Sequence, residues 1–311
     1  MSRVVGALAL AATMTMTDAG HISAQELQTL VDEPSRSDLF EQFVVPKASE
    51  EDKQAQAYAL LGPFMFPSDT TYDKINRQPR SGVIFGIDVS HYEGANIRFD
   101  GLKQQNVRFV YVKATQGIGY KDGRFAEYWA ALGALPADKR VVRGPYHFLS
   151  SNGDGIAQAD SFLKFLDQNG GLQPGDMPPV LDLEWDIATK NGPDRWQGHK
   201  PDEIIDTVLA WLNRVEEKTH KIPAVYTART WWHDRGIPEE KFARLSHYKV
   251  WVADYSKSSH AIEVPAAPNK SHVDLWQFTE QARLSSGYGG KVDANIYYGS
   301  DEKFISDFQI K

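Results

Sequence analysis

The chain has 311 residues, of which 41% are hydrophobic and 24% are charged, and these fractions are typical of a globular protein rather than a disordered, fibrous or membrane protein. Its net charge of -7 disfavours a general affinity for nucleic acid, whose phosphates repel an acidic surface, so no nucleic-acid partner is expected. Cysteine is absent, which excludes disulfides, thiolate metal sites and cysteine nucleophiles.

The N-terminal residues have the pattern of a secretory signal. Arg3 precedes an uncharged stretch, Val4–Thr17, and small residues such as Ala24 follow it. We therefore predict a signal peptide over residues 1–24 and a secreted or periplasmic protein. A stretch this short is not expected to form a stable membrane span. The alternative is the frayed N-terminal helix of a cytosolic protein.

The next part of the chain, residues 25–82, mixes charges, prolines and scattered apolar side chains without a sustained period. We predict that it is an N-terminal extension, whose role the residues do not reveal. It precedes one folded domain, which we predict over residues 83–311.

Short apolar segments rich in Val, Ile, Tyr and Phe begin at Val83 and predict β-strands. Amphipathic segments between the early strands predict helices with one buried face. The predicted strands are VIFGIDVS (83–90), RFVYVKAT (108–115), VVRGPYHF (141–148), PPVLDLEW (178–185), PAVYT (223–227), KVWVADY (249–255), VDLWQFT (273–279) and VDANIYY (292–298). The predicted buried faces are Ile156, Ala159, Phe162, Leu163 and Leu166 in one helix, and Ile204, Ile205, Val208, Leu212 and Val215 in the next.

This alternation of strands and helices predicts an α/β fold with parallel strands and right-handed crossovers. Eight strands suggest a closed barrel of the TIM type, whose chemistry lies at the C-terminal ends of its strands. Helical patterns weaken after Tyr255, so the last three strands are expected to close the barrel with little helical cover. An open doubly wound sheet is the alternative, but no GxGxxG turn follows the first strand.

Four carboxylates lie at or near predicted strand ends, and two of them share one strand. In VLDLEW, the strand period of two places Asp182 and Glu184 on the same face. Two crowded carboxylates acquire different pKa values, and glycosidic bond cleavage requires such a pair. The other two are Asp88 and Asp293. The alternative for so short a motif is a pair of structural acids bound to Arg or Lys.

Aromatic side chains at the same predicted strand ends offer faces on which sugars stack. They include Tyr146, Tyr226 and Trp276, although each taken alone is more typical of core packing. His91 and His147 lack an HxxxH or HExxH partner, so no metal site is expected, and no motif indicates a cofactor.

Taken in order, these motifs resemble the glycoside hydrolase family 25 lysozymes, also called Chalaropsis-type muramidases, over roughly residues 83–305. The matching segments are GIDVSHY (86–92), FVYVKATQG (109–117), GPYHF (144–148), PVLDLEW (179–185), PAVYT (223–227), VWVADY (250–255), LWQF (275–278) and VDAN (292–295).

The resemblance implies a flattened TIM-like barrel of five β/α units followed by three strands. It also implies a monomeric lysozyme that hydrolyses the β-1,4 bond between N-acetylmuramic acid and N-acetylglucosamine in peptidoglycan glycan strands. Glu184 is then the general acid, and Asp182 is a nucleophile or orients the 2-acetamido group of the substrate. Asp88 and Asp293 complete the catalytic acids. The implied substrate-binding residues are Tyr146, Tyr226, Trp276, Lys113, Gln116 and Asp254.

The sequence departs from the family pattern at Gln116, where the family commonly has Glu, and in a long polar segment, Ile187–Pro201. The first removes a charge near the site, and the second can modify access to the groove. Two other functions fit the same residues. One is a chitinase-like N-acetylhexosamine hydrolase, although the DxxDxDxE pattern is missing, and the other is a non-catalytic peptidoglycan-binding module.

Overall fold

The computed structural model of the chain describes residues 62–189, 192–256, 260 and 263–311. The predicted signal peptide and most of the predicted extension lie outside the described residues. The strands in chain order are β1 Tyr72–Asp73, β2 Gln78–Pro79, β3 Val83–Val89, β4 Val107–Gln116, β5 Tyr120–Lys121, β6 Val142–Phe148, β7 Val180–Leu183, β8 Ala224–Thr227, β9 Lys249–Ala253, β10 Leu275–Ala282 and β11 Val292–Tyr298.

Helices follow most of the early barrel strands. The α-helices are α1 Ser68–Thr71, α2 Phe125–Gly133, α3 Gly155–Gln168, α4 Pro201–Thr219, α5 Arg229–Asp234 and α6 Asp301–Asp307, and 3-10 helices span His91–Asn96, Lys103–Gln105, Glu239–Leu245 and Pro268–Lys270. Among the described residues, no helix combines the length and the apolar character needed to cross a membrane.

Eight of these strands, β3, β4 and β6 to β11, form a closed barrel. Parallel pairs run from β3 through β4, β6, β7, β8 and β9 to β10. The ring is closed by β11, which is antiparallel both to β10 and to β3. The predicted TIM-like barrel is therefore confirmed, with helical segments after each of its first five strands and little helical cover over the last three.

The predicted helix faces agree with the structure except at one position. All five residues predicted for the face of α4 are fully buried against the barrel. In α3, Ala159, Phe162 and Leu166 are buried and Leu163 is partly buried, whereas Ile156 is 46% exposed. Ile156 lies in the first turn of α3, two residues after the cap at Asp154, and its side chain faces solvent there.

The C-terminal helix α6 packs across the end of the barrel opposite to the predicted site. Phe304 stacks on Phe109 of β4 at 5.5 Å and contacts the ring of Tyr297 of β11 at 5.2 Å. The Tyr297 hydroxyl also donates to Asp307 at 2.8 Å. This end of the barrel is therefore filled with aromatic side chains, which leaves the other end for chemistry.

Part of the segment that precedes the barrel packs on its outer face. Phe66 is 1% exposed, and its ring meets that of Phe85 at 6.2 Å, while Phe64 meets Phe278 at 4.9 Å. Backbone hydrogen bonds join the same segment to Arg283. Residues just before Val83 thus contribute to the hydrophobic core, and the domain boundary at residue 83 stays a prediction.

We predict that Phe66→Ala lowers the free energy of unfolding by about 3–5 kcal/mol, because it removes a fully buried aromatic ring. Urea denaturation of the full chain, followed by tryptophan fluorescence, measures this change. Tyr72→Ala is the control, because Tyr72 is 43% exposed and its removal should cost less than about 1 kcal/mol. A loss in Phe66→Ala of less than about 1 kcal/mol would contradict the proposed contribution of the buried ring.

Candidate active site

The four acids predicted from sequence are brought to one end of the barrel. Asp88 lies near the C-terminal end of β3, Asp182 lies in β7, and Glu184 follows directly after β7. Asp293 lies at the start of β11, and because β11 is antiparallel, its register pairs Asp293 with Asp88. The start of β11 and the ends of the parallel strands therefore meet at the same mouth.

These acids are largely removed from solvent. Asp88, Asp182 and Glu184 are all less than 5% exposed, and Asp293 is partly buried. In β7, Asp182 is paired in register with Tyr226 of β8, whose hydroxyl reaches across to Gln277 of β10. Asp182 therefore lies on the interior face of the barrel, as the strand period predicts.

Two neutral amides connect the acids to the barrel wall. The Gln277 amide nitrogen donates to Asp88 at 2.8 Å and to Asp293 at 3.2 Å. Its oxygen accepts from the hydroxyl of Tyr226 at 2.8 Å and from that of Tyr255. The phenols fix which end of the amide is oxygen, so the nitrogen must face the two acids.

Asn295 repeats this arrangement one strand away. Its amide nitrogen donates to the same Asp88 oxygen at 2.8 Å, and its oxygen accepts from the Trp251 indole at 2.9 Å. Asp88 is thus oriented by two donors from neighbouring strands. Trp251, Tyr255 and Gln277 lie at predicted strand ends, where the sequence predicts rings, hydroxyls and amides that orient a sugar. Their part in holding Asp88 is not predicted, and Asn295 is marked only by its place in the motif VDAN.

Lys113 and Gln116 come together because β4 is irregular. The register of β4 against β6 shifts between Lys113 and Thr115, so that Lys113 and Gln116 share a face although they are three residues apart. The Lys113 ammonium donates to Gln116 at 2.8 Å and lies 5.0 Å from the ring centre of Phe148. Phe148 is the register partner of Asp182, so this pair lies beside the acids.

Tyr146 joins the same interior face, whereas Trp276 and Asp254 do not. Tyr146 is the register partner of Lys113 and of Val180. Trp276 precedes the inward-facing Gln277, so it points outward, where it contacts His260 and Phe278 and donates to the Asp254 backbone oxygen at 2.8 Å.

Asp254 holds the loop that follows β9. Its two carboxylate oxygens accept from the backbone nitrogens of Ser256 at 2.9 Å and Ala266 at 2.7 Å. Each oxygen therefore already has a backbone donor within the protein. The structure thus places Trp276 and Asp254 beside the cluster of acids rather than inside it.

The first loop after β3 adds another carboxyl group to the mouth. Glu93 accepts from the backbone nitrogen of Ser90 at 2.6 Å. Burial, together with the charges of Asp88 and Asp122, raises the pKa of Glu93 to about 7. His91 is paired with Asp122 at 2.8 Å. No sequence motif marks Glu93, because its surroundings depend on the fold of this loop.

His147 lies on the opposite face of β6 and takes no part in the mouth. It is fully buried, bonded to Thr115 at 2.6 Å and stacked on Trp211 of α4 at 5.5 Å. Burial lowers the pKa of His147 to about 3, because the imidazolium would lose its hydration. Within the described ranges, no group of three or more His, Asp or Glu side chains is arranged to hold a metal ion.

Known proteins are similar to this barrel in sequence and in fold. The sequence profile described as Glycosyl hydrolases family 25 matches residues 87–287, a range that includes Asp88, Asp182, Glu184 and Gln277 but not Asp293. Lysozyme M1 from Streptomyces globisporus is 31% identical over 237 residues, which are 71% of this chain and 70% of that protein. N,O-diacetylmuramidase from Chalaropsis sp is 32% identical over 152 residues, which are 47% of this chain and 67% of that protein.

Among solved structures, the bacterial lysozyme from Streptomyces coelicolor aligns with a TM-score of 0.61 at 28% sequence identity. The alignment covers 74% of this chain and 98% of that chain. The similarity therefore spans nearly the whole of that lysozyme and about three quarters of this chain.

We predict that the neutral state of His147 makes the protein lose stability in acid. Between the ordinary pKa of about 6.5 and the folded value, the unfolded chain binds a proton that the folded chain does not. The free energy of unfolding therefore falls as the pH falls below 6.5. By pH 4.5 this group alone contributes a loss on the order of 2 kcal/mol.

Urea denaturation at pH 7.5 and pH 4.5 tests this expectation with two variants. His147→Gln should lose about 2 kcal/mol less than the unaltered protein between the two pH values. The exposed His233→Gln should lose as much as the unaltered protein. Identical losses in all three proteins would contradict the neutral buried state.

Proposed function

The chain belongs to family 25 of the glycosyl hydrolases and is a lysozyme, an enzyme that hydrolyses peptidoglycan, and we propose that Glu184 and Asp182 carry out this reaction. The observation that carries the proposal is the convergence of Asp88, Asp182 and Glu184, all buried, at the mouth of the barrel. A TIM-type barrel holds its chemistry at this end of its strands.

The bond that we propose is cleaved is the β-1,4 bond between N-acetylmuramic acid and N-acetylglucosamine. Its cleavage requires a proton for the leaving oxygen while positive charge develops on the sugar ring. Glu184 is the proposed general acid that gives this proton. Asp182 acts on the other side of the bond, either as a nucleophile or by orienting the 2-acetamido group of the substrate to attack.

Asp88 and Asp293 are proposed to hold water, substrate hydroxyls or the reacting groups in place. Gln277 supports this role, because its one amide nitrogen is bonded to both acids at 2.8 and 3.2 Å. The hydroxyls that donate to its oxygen prevent the amide from rotating by half a turn. The acids are thereby positioned by neutral donors, which leaves the local negative charge available to stabilise the developing cation.

The sugar is proposed to bind along the interior side chains of the mouth. Lys113, Gln116, Tyr146 and Tyr226 all lie on the same face as Asp182 and offer polar groups and ring faces to a sugar. For Trp276 and Asp254, we propose an indirect role. Their hydrogen bonds hold the loop after β9, which borders the mouth.

Export and assembly state complete the proposal. Peptidoglycan lies outside the cytoplasmic membrane, and this substrate supports the predicted secreted or periplasmic location. The signal-like pattern of residues 1–24 points to the same location. The monomeric state and the lack of a nucleic-acid partner stay predictions from sequence.

We predict that Glu184→Gln lowers the rate of peptidoglycan hydrolysis by about 100-fold or more, because the amide cannot supply the proton. The assay measures new reducing ends from purified peptidoglycan and separately from chitin, with mass spectrometry of the products. Muramic acid should occupy the new reducing ends. Glu240→Gln is the matched control, since Glu240 is exposed on the outside of the barrel. Full activity in Glu184→Gln would remove Glu184 as the acid, and release from chitin alone would favour a chitinase.

We also predict that Gln277→Glu lowers the activity near neutral pH more than the activity at lower pH. The new carboxylate would face Asp88 and Asp293, and their like charges would raise its pKa. Near neutral pH the three charges repel one another, so activity should fall about 10-fold or more. At lower pH the protonated Glu regains one donor, and part of the activity should return.

The pH profile of peptidoglycan hydrolysis measures this effect. The control is Gln281→Glu, which adds the same charge to the same strand, where Gln281 bonds to Glu280 instead of to the acids of the mouth. A Gln277→Glu profile parallel to that of the unaltered protein would show that the Gln277 amide does not orient the acids.

A further inference from the structure

Glu184 lies just beyond the end of the barrel strand that carries Asp182. Strand β7 ends at Leu183, and Glu184, which we propose as the general acid, is the next residue. The segment that follows is the long polar one noted in the sequence. Its described residues, 184–189 and 192–200, contain one isolated bridge, between Ile187 and Asp194. The contacts of this segment therefore contribute to where Glu184 lies.

Asp186, two residues beyond Glu184, provides the densest set of these contacts. It is fully buried, and one of its carboxylate oxygens accepts three hydrogen bonds. The donors are the Ser150 hydroxyl at 3.1 Å, and the Ser151 backbone nitrogen and hydroxyl, both at 2.8 Å. The other oxygen is bonded to the guanidinium of Arg195. A buried carboxylate with this many donors has one orientation.

Asp194 holds the backbone of the same segment. Its carboxylate accepts from the backbone nitrogens of Asp186 and Trp196, both at 3.0 Å. The Arg195 backbone nitrogen in turn donates to the Asp186 backbone oxygen at 2.8 Å. Asp186 is therefore held through its side chain and through both of its backbone polar groups.

The serines that bind Asp186 are themselves fixed to α3. Gln158 of α3 is fully buried, accepts from the Ser150 backbone nitrogen at 3.0 Å and donates to the Ser150 backbone oxygen at 2.8 Å. The backbone nitrogen of the preceding residue, Leu149, donates to the backbone oxygen of Asp182 at 2.9 Å. The loop after β6 thus contacts the DxE segment both at Asp182 and at Asp186, on either side of Glu184.

The opposite side of the segment is anchored to β8 and α5. The Thr227 hydroxyl donates to the Leu183 backbone oxygen at 2.8 Å, and the Trp185 indole donates to Asp234 at 3.0 Å. Residues 182, 183, 185 and 186 therefore each have a hydrogen-bonded anchor on a neighbouring element. Of these anchors, Asp186 is the one that joins the segment to the loop after β6 through a charged group.

We propose that Asp186 is a positioning residue for Glu184, which it places by tying the end of the DxE segment to Ser150 and Ser151. The inference rests on the proposed function of Glu184 as general acid. A displacement of about 1 Å in a reacting group is enough to cost a factor of about 100 in rate. The expected consequence is on the chemical step, because the substrate-facing groups of the mouth stay in place.

The experiment compares Asp186→Asn with Asp176→Asn in the full chain. In Asp186→Asn, an amide NH2 replaces one acceptor and must face either the serine donors or Arg195. Asp176 is a matched control, because it is buried and accepts from the Arg143 guanidinium at 2.9 Å, but it lies before β7, at the other end of the barrel. Initial rates of reducing-end release are measured over a range of peptidoglycan concentrations, with circular dichroism and urea denaturation of each protein.

Asp186→Asn is expected to lower kcat by about 10- to 100-fold with KM changed less than about twofold. Asp176→Asn is expected to lose stability while kcat stays within about twofold of the unaltered protein. An unchanged kcat in Asp186→Asn, alongside an inactive Glu184→Gln, would overturn the positioning role and leave the proposed function intact. An active Glu184→Gln would instead overturn the proposed function, and the positioning role with it.

A second pair of variants decides the case if Asp186→Asn does not fold. Ser151→Ala removes one hydroxyl donor to Asp186 and leaves the backbone donor, so a smaller fall in kcat is expected. Ser151→Thr restores the hydroxyl and should restore kcat. A kcat that is unchanged in Ser151→Ala, or that Ser151→Thr fails to restore, would contradict the proposal.

Discussion

The antiparallel pairing of β11 between β10 and β3 is the interaction on which the acidic mouth depends. It closes the ring of strands, and its register sets Asp293 beside Asp88 and Asn295 beside Gln277. A parallel strand in this place would carry its last residues, rather than its first, to the catalytic end. The direction of one strand therefore decides which side chains meet the acids of β3 and β7.

The same closure explains how several acids coexist within a buried mouth. Removing carboxylates from water is costly unless hydrogen bonds replace the lost hydration. Here the replacements for Asp88 are amides, with the phenols and an indole holding those amides in turn. Asp186, which follows the end of β7, is held by two hydroxyls, a backbone nitrogen and an arginine instead. The amides that hold Asp88 therefore replace its lost hydration without adding a positive charge beside it.

Much of the architecture could be predicted from the sequence, because it follows from the short-range periodicity of apolar residues. The eight strand segments and the buried face of α4 follow from alternation and helical spacing, and the family motifs add strand order. What could not be predicted depends on pairing between distant segments. The bulge that brings Lys113 next to Gln116 exists only against β6, and the outward turn of Trp276 is set by Gln277 facing inward. Gln277 and Asn295 lie in strand-end motifs, but their shared contact with Asp88 follows only from the pairing of β10 with β11 and of β11 with β3.

The dependence of the mouth on two amides has a consequence for the chemical ageing of the enzyme. Glutamine and asparagine are among the residues that heat damages most readily, through hydrolysis of the side-chain amide. Deamidation at Gln277 or Asn295 would exchange a donor for a negative charge directly against Asp88, while the surrounding hydrophobic packing stayed intact. A preparation stored warm would then lose hydrolytic activity while it stays folded. The folded fraction alone is therefore a poor measure of the remaining activity.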